Sequence, residues 1–362
     1  GLVGSEMCIR DRRKNCDEIE EVFGKKAGDD WHNLMQRAER MWDLSRATFI
    51  ESEIKLSKVF KELSLKKLRD ISPFMSLRRY VSRLTSDKNL KMIIDRYATY
   101  SGSDPRKAPA PLLTIPFIES SFGAWHITGG IARLAEELGV RATELGVEIN
   151  LNSPVTQIVI KNGAAVGIKL KNGKVINSDV VVANADAKLV YEELISSSVK
   201  EAKRERRKLK RLMPSFSGFS LFIGLDNSKV NGDIPKLEHH NIYFPEDYDA
   251  EFAALFEKNT PVEDPTIYIC APKDSSLTPN ENCESWSVLV NAPLHNPETG
   301  VDWDKIESMY AEKILDRLEE LGLRVRERMV HFEFRSPKGL ANEVNAPGGS
   351  IYGSSSNGPR AA

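Results

Sequence analysis

Val155-Thr-Gln-Ile-Val-Ile-Lys-Asn-Gly-Ala-Ala-Val-Gly-Ile-Lys-Leu-Lys-Asn-Gly173 decides how this chain folds. Val155, Ile158 and Ile160 precede Asn162-Gly163, and Val166, Ile168 and Leu170 precede Asn172-Gly173. Asn-Gly between alternating apolar runs is the strongest short-range hairpin signal, because both residues accept positive φ. Just upstream, Val147, Ile149 and Leu151 alternate as another strand would. Just downstream, Val180-Val181-Val182 is a continuous apolar run, the pattern of a strand buried on both faces. It ends at the polar turn Asn184-Ala185-Asp186.

Outward from this β segment, both flanks carry helical periods. Before it, Ile131, Leu134, Ala135, Leu138, Ala142 and Leu145 share one face of a helix predicted over 128–146, with Gly129-Gly130 at its start and Gly146 at its end. Trp31, Leu34, Met35, Ala38, Met41 and Trp42, then Leu44 and Phe49, predict helix within 30–60. Leu77, Tyr80, Val81 and Leu84, then Leu90, Ile93, Ile94 and Tyr97, continue the helical layer until Pro105, Pro109, Pro111 and Pro116 interrupt it. On the other side, strands are expected at 219–225, 266–270, 286–291 and 329–335, and a helix at 303–321 capped by Gly322. The fold class is therefore mixed, α+β joined to part of an α/β domain.

At 362 residues the chain is long enough for two domains. Its 51 basic and 52 acidic side chains leave a net charge of -1, so nucleic acid is not an expected partner. Cys8, Cys16, Cys270 and Cys283 form no CxxC pair, and no metal site is expected. No apolar run reaches the roughly 18–20 residues that span a bilayer, so membrane contact, if made, is peripheral.

Both ends read as abrupt. The stretch 1–12, without a starting methionine or a helical or strand period, is expected to be a non-native leader. Gly348-Gly-Ser-Ile-Tyr-Gly353 and the Ser-rich residues after it read as a loop without a closing element. Truncation at both ends is the expectation.

Gly123-Ala-Trp-His-Ile-Thr-Gly-Gly130, Ile149-Asn-Leu-Asn152, Val155-Thr-Gln-Ile158 and Asp179-Val-Val-Val-Ala-Asn-Ala-Asp186, in this order, resemble the phytoene-desaturase-like flavoproteins, relatives of the amine oxidases. Tyr97-Ala-Thr-Tyr-Ser-Gly-Ser-Asp-Pro105 is most similar to the branch acting on hydroxylated carotenoids. Gly348–Gly353 is similar to the loop preceding that family's C-terminal flavin motif. The resemblance covers about residue 30 to 362. It implies a partial FAD-binding Rossmann-like domain beside a mixed helical and β-sheet substrate domain. The family's opening GxGxxG unit, which holds the pyrophosphate, and its closing Gly-rich segment have no counterpart here, so tight flavin binding by this polypeptide is not expected. The implied division is a helical part of the substrate domain at 13–126, part of the FAD-binding domain at 127–190, the substrate domain again at 191–325, and a truncated return to the FAD-binding domain at 326–362.

For the site, the resemblance implies that the Val155 backbone pairs with the flavin adenine and that Asn184, Ala185 and Asp186 lie near the cofactor. Without it, Val155 is an ordinary hairpin residue and Asn184 or Asp186 a helix N-cap. Gly129-Gly130 is either a close-approach turn or a plain entry to the helix. Tyr97, Tyr100, Trp125 and His126 border the implied substrate tunnel, although aromatics at helical spacing also make ordinary core. Glu119, Asp104 and Glu343 form no spaced carboxylate pair, so no catalytic acid or base can be named. None need be obvious, since the flavin carries the hydride chemistry. The basic run 200–211 reads as a solvated helix face, with a membrane-surface patch as the alternative.

The implied activity is FAD-dependent desaturation of a carotenoid C–C bond, of the 1-hydroxycarotenoid or phytoene type, by a cytoplasmic, peripherally membrane-associated enzyme. The contrasting reading is a non-catalytic isoprenoid-binding protein on the same scaffold, as in the Rab GDP-dissociation inhibitors.

Overall fold

The computed structural model describes residues 4–6, 12–47, 51 and 64–358. Phe49, Cys8 and most of the leader 1–12 lie outside the described residues. The chain divides into two compact units, residues 1–128 with 355–362, and residues 129–354.

The first unit is helical. Helices α1 (Arg12–Phe23) and α2 (Lys25–Ser45) pack together. The period seen in the sequence is the buried stripe of α2: Trp31, Leu34, Met35, Ala38 and Met41 are all at most 5% exposed. α3 (Leu65–Ile71), α4 (Leu77–Val81) and α5 (Lys88–Arg96) follow. Each starts at a residue whose side chain accepts a backbone N–H: Ser64, Ser76 and Asp87. α6 (Thr114–Phe122) adds Phe117 to the same core, with Leu77, Val81, Leu90 and Ile94. A short antiparallel pair joins β1 (Gly4–Glu6) to β2 (Trp125–Ile127). Three residues are too few for an alternation to be read from sequence, which is why the leader showed no period.

The second unit holds a five-stranded antiparallel sheet in the order β10-β6-β9-β8-β7: β6 (Ser217–Asp226), β7 (His240–Tyr243), β8 (Ile267–Cys270), β9 (Cys283–Ala292) and β10 (Met329–Arg335). Phe219, Leu221, Ile223 and Leu225 alternate along β6 and bury one face. The same core takes in Trp303, Tyr310, Ile314 and Leu318 from the long helix Trp303–Glu320. The Phe219 ring lies 5.5 Å from Trp303, 5.3 Å from Tyr310 and 5.6 Å from Phe334.

A separate meander is formed by β3 (Val155–Lys161), β4 (Ala164–Leu170) and β5 (Val175–Asn177), turning at the two Asn-Gly pairs as expected. Asn162 and Gly163 both take positive φ, as a tight hairpin turn requires.

Two strand expectations are corrected. Residues 147–151 and 180–182 form no strand, and Leu151 and Val182 are 79% and 87% exposed. The helix at Ala132–Glu144 forms, but Ile131, Leu138 and Leu145 on its apolar face are exposed and no residue within it is buried. Periodicity fixes the helix locally. A doubly buried strand exists only where neighbouring strands pair with it, and among the described residues none pairs with 147–151 or 180–182.

Candidate functional site

The residues singled out in sequence fall into both units, and each group is built differently. In the first unit, Tyr97 and Tyr100 lie on the helical turn Tyr97–Ser101 that follows α5. Three residues apart on such a turn, they share a side, and their rings stand 5.3 Å apart. α6 brings Glu119 to them. The Tyr97 hydroxyl donates to Glu119 Oε2 at 2.9 Å, and Tyr100 hydrogen-bonds the same carboxyl group.

Burial raises the Glu119 pKa above the usual glutamate range, and the two tyrosine donors oppose that rise. Tyr97 is pushed well above the ordinary tyrosine range, first by burial and then by the Glu119 charge. Glu119 was weighed in sequence only as an unpaired acid. Its partners lie 22 and 19 positions upstream, a spacing set by the turn between two helices rather than by any local motif. Trp125 and His126 sit on β2, beyond Gly123 at the end of α6, with Trp125 53% exposed and His126 partly buried.

In the second unit, Val155 opens β3, which is an edge strand of its meander: among the described residues it pairs with β4 alone. Asn184 and Ala185 are exposed, and Asp186 caps the short helical turn Ala187–Leu189. Its Oδ1 accepts Lys188 N–H at 2.7 Å and Leu189 N–H at 3.3 Å. The capping half of the sequence reading therefore holds at Asp186. The other carboxylate oxygen faces Gly353: a Cβ built on that glycine would lie 3.6 Å from Asp186 Oδ2. Two segments 167 positions apart, both linked by resemblance to the flavin, are thus neighbours.

That loop is held by groups the sequence reading did not single out. Ser217 Oγ donates to Gly349 O at 2.6 Å, Ser215 N–H to Gly353 O at 2.9 Å, and Tyr352 N–H to Ser215 Oγ at 3.0 Å. Ser215 and Ser350 hydroxyls lie 2.7 Å apart. Gly129 and Gly130 lie against a different loop, with Gly129 N–H donating to Asp274 Oδ2 at 2.8 Å. The basic run forms helix Lys203–Leu209. Arg206 turns inward to the carbonyls of Tyr191 and Ile195, Lys208 pairs with Glu205, and Lys203, Arg204 and Arg207 are exposed.

A flavin cofactor would find part of what it needs in this arrangement. The edge of β3 at Val155 offers backbone groups, and Gly353 beside Asp186 has no side chain, whereas Gly348 and Gly349 are packed against Leu294 and Pro337. Among the described residues no GxGxxG turn is present to cradle a pyrophosphate. No helix among them is long and apolar enough to cross a membrane.

Comparison with known proteins adds the following. The family described as flavin containing amine oxidoreductase matches residues 18–249. The chain is 33% identical over 294 residues to 4,4'-diapolycopene oxygenase of a Methylomonas species, covering 80% of this chain and 56% of that protein. It is 28% identical over 352 residues to 1-hydroxycarotenoid 3,4-desaturase of a Flavobacterium species, covering 94% of this chain and 68% of that one. The chain thus spans only between about half and two-thirds of these relatives' lengths. Among solved structures, an oxidoreductase from Methanosarcina mazei superposes with a TM-score of 0.51 at 17% identity, over 80% of this chain and 65% of that one.

Proposed function

The chain belongs to the flavin containing amine oxidoreductase family, and on that premise we propose that it acts as an FAD-dependent carotenoid desaturase. The substrate we assign is a hydroxylated carotenoid, with phytoene-type substrates as the alternative within the same chemistry. The observation that carries the flavin reading is the juxtaposition of Asp186 with Gly353 in one compact unit, since the first lies in a turn that by resemblance is near the cofactor and the second in a loop that resembles the one preceding the family's C-terminal flavin motif. The substrate reading is supported by the similarity to 1-hydroxycarotenoid 3,4-desaturase across nearly the whole chain.

In this reading Val155, Asn184, Ala185 and Asp186 bind the cofactor, and Tyr97, Tyr100, Trp125 and His126 border the polyene. Residues 127–190 and the loop near 348–353 serve the flavin, while 13–126 and 191–325 serve the substrate. A bound flavin supplies the hydride acceptor, so that loss of a hydride and a proton from adjacent carbons creates the double bond. The chain's own task is to hold the reacting C–H in position and to keep water out. The relatives' names favour this redox role over non-catalytic lipid binding.

The test is to express this chain, alone and with the coding sequence that flanks it, add FAD, desalt, and record the flavin spectrum. Both proteins are then given hydroxylated carotenoids in liposomes. Retained flavin with a red-shifted polyene in either protein supports the proposal. A flavin-free spectrum and unchanged polyene in both would overturn it.

A further inference from the structure

The five-stranded sheet ends on β7, and this edge strand begins at His240. Its partner β8 ends at Cys270, and the register sets His240 directly opposite Cys270, so both side chains leave the same face. The chain bends at His239, whose carbonyl accepts Ala271 N–H at 2.9 Å. That bend returns a second imidazole to the same place: the His239 and His240 rings are 4.6 Å apart. The ligand atoms of His239, His240 and Cys270 all lie within 4.8 Å of one another, and all three residues are partly buried.

We propose that His239, His240 and Cys270 bind a zinc ion that clips the edge strand β7 to β8. Two imidazoles and a thiolate are a borderline-to-soft set, which suits zinc and not magnesium or calcium, whose ligands are oxygens. Zinc holds nitrogen at about 2.0–2.1 Å and sulfur at about 2.3 Å, so the three groups need only small side-chain movements to close on one ion. The fourth position goes to water. On binding, the Cys270 S–H bond breaks, a Zn–S bond forms, and the proton leaves to solvent.

Tyr268 is the positioning residue. Its hydroxyl lies 2.6 Å from His240 Nδ1 and hydrogen-bonds the Cys270 side chain, so it orients one ligand and touches another. The site depends on pairing of β7 with β8 and on no local motif, which is why the cysteine spacing predicted no metal. An edge strand is also where a clip matters, because among the described residues no strand pairs with its other side.

The probe is cobalt(II) added to the metal-stripped protein. One equivalent should give a thiolate-to-cobalt charge-transfer band that zinc abolishes. The band should vanish in Cys270→Ser and persist in Cys283→Ser. Tyr268→Phe should weaken zinc binding about tenfold or more while leaving the band's shape intact. A second readout avoids variants: zinc should protect Cys270, mapped by mass spectrometry, from iodoacetamide alkylation and leave Cys283 unprotected. A band that survives in Cys270→Ser, or equal alkylation of Cys270 with and without zinc, would overturn the proposal.

Discussion

Gly349 packs its α-carbon against Pro337 so closely that a Cβ built there would overlap the Pro337 carbonyl oxygen. Its φ of +76° adds a second reason for glycine. Gly349→Ala should therefore destabilise the protein by about 3 kcal/mol, combining left-handed strain with overpacking. Gly146→Ala is the control. Gly146 has a φ of +81° but nothing within 4 Å of its Cβ position, so only the strain of about 1 kcal/mol should appear. Urea midpoints at unchanged m-value measure both. Equal midpoints for the two variants would show that close approach is not what fixes Gly349.

Asp186 has one oxygen on the helix cap and the other turned toward Gly353. Asparagine caps about as well as aspartate, whereas alanine costs about 1 kcal/mol. Asp186→Asn should keep the melting temperature, and Asp186→Ala should lower it. If the carboxylate also serves the flavin, both variants lose retained FAD in the desalting assay. FAD retention unchanged in Asp186→Asn would confine the residue to capping.

The local elements were legible in sequence, and the site was legible only where it was local. Both Asn-Gly hairpins, the α2 stripe and strand Met329–Arg335 form where periodicity placed them, because each is decided by residues within a few positions. Val180–Val182 failed because burial on both faces is a property of neighbouring strands and not of the valines. Tyr97 and Tyr100 were found as aromatics, but their shared acceptor Glu119 was not, since α6 supplies it from a distant part of the chain. The same holds for Ser215 and Ser217, whose loop partners lie more than a hundred residues further on.

Glu119 should impose a pH dependence on stability. Its folded pKa is raised by burial above the unfolded value of about 4.3. Below about pH 4 the carboxyl is protonated in both states. As pH rises through the window up to the folded pKa, the folded state keeps a proton that the unfolded state has lost, so stability falls. Glu119→Gln should remove this slope. Tyr97→Phe should enlarge it, because a donor that lowers the Glu119 pKa is gone. Melting temperatures between pH 4 and 8 check both, and an identical slope in Glu119→Gln would assign the dependence elsewhere.

Glu251 is 1% exposed and accepts hydrogen bonds from Thr266 and Asn291. Oε2 takes Thr266 N–H at 2.8 Å and Thr266 Oγ1–H at 2.6 Å, and Oε1 takes Asn291 Nδ2–H at 2.7 Å. One carboxylate thereby ties the helix Tyr248–Ala253 to the approach of β8 and to β9. Thr266 and Asn291 both act as donors here, so Glu251→Gln is not conservative: its NH2 must face one of them. Both Glu251→Gln and Glu251→Ala should cost about 3 kcal/mol, the scale of stranding buried donors. Asn291→Ala removes one of those donors, so in the double variant Asn291→Ala/Glu251→Ala the two losses should sum to less than their separate values. Additive losses in a urea-denaturation cycle would mean that the pair is not coupled.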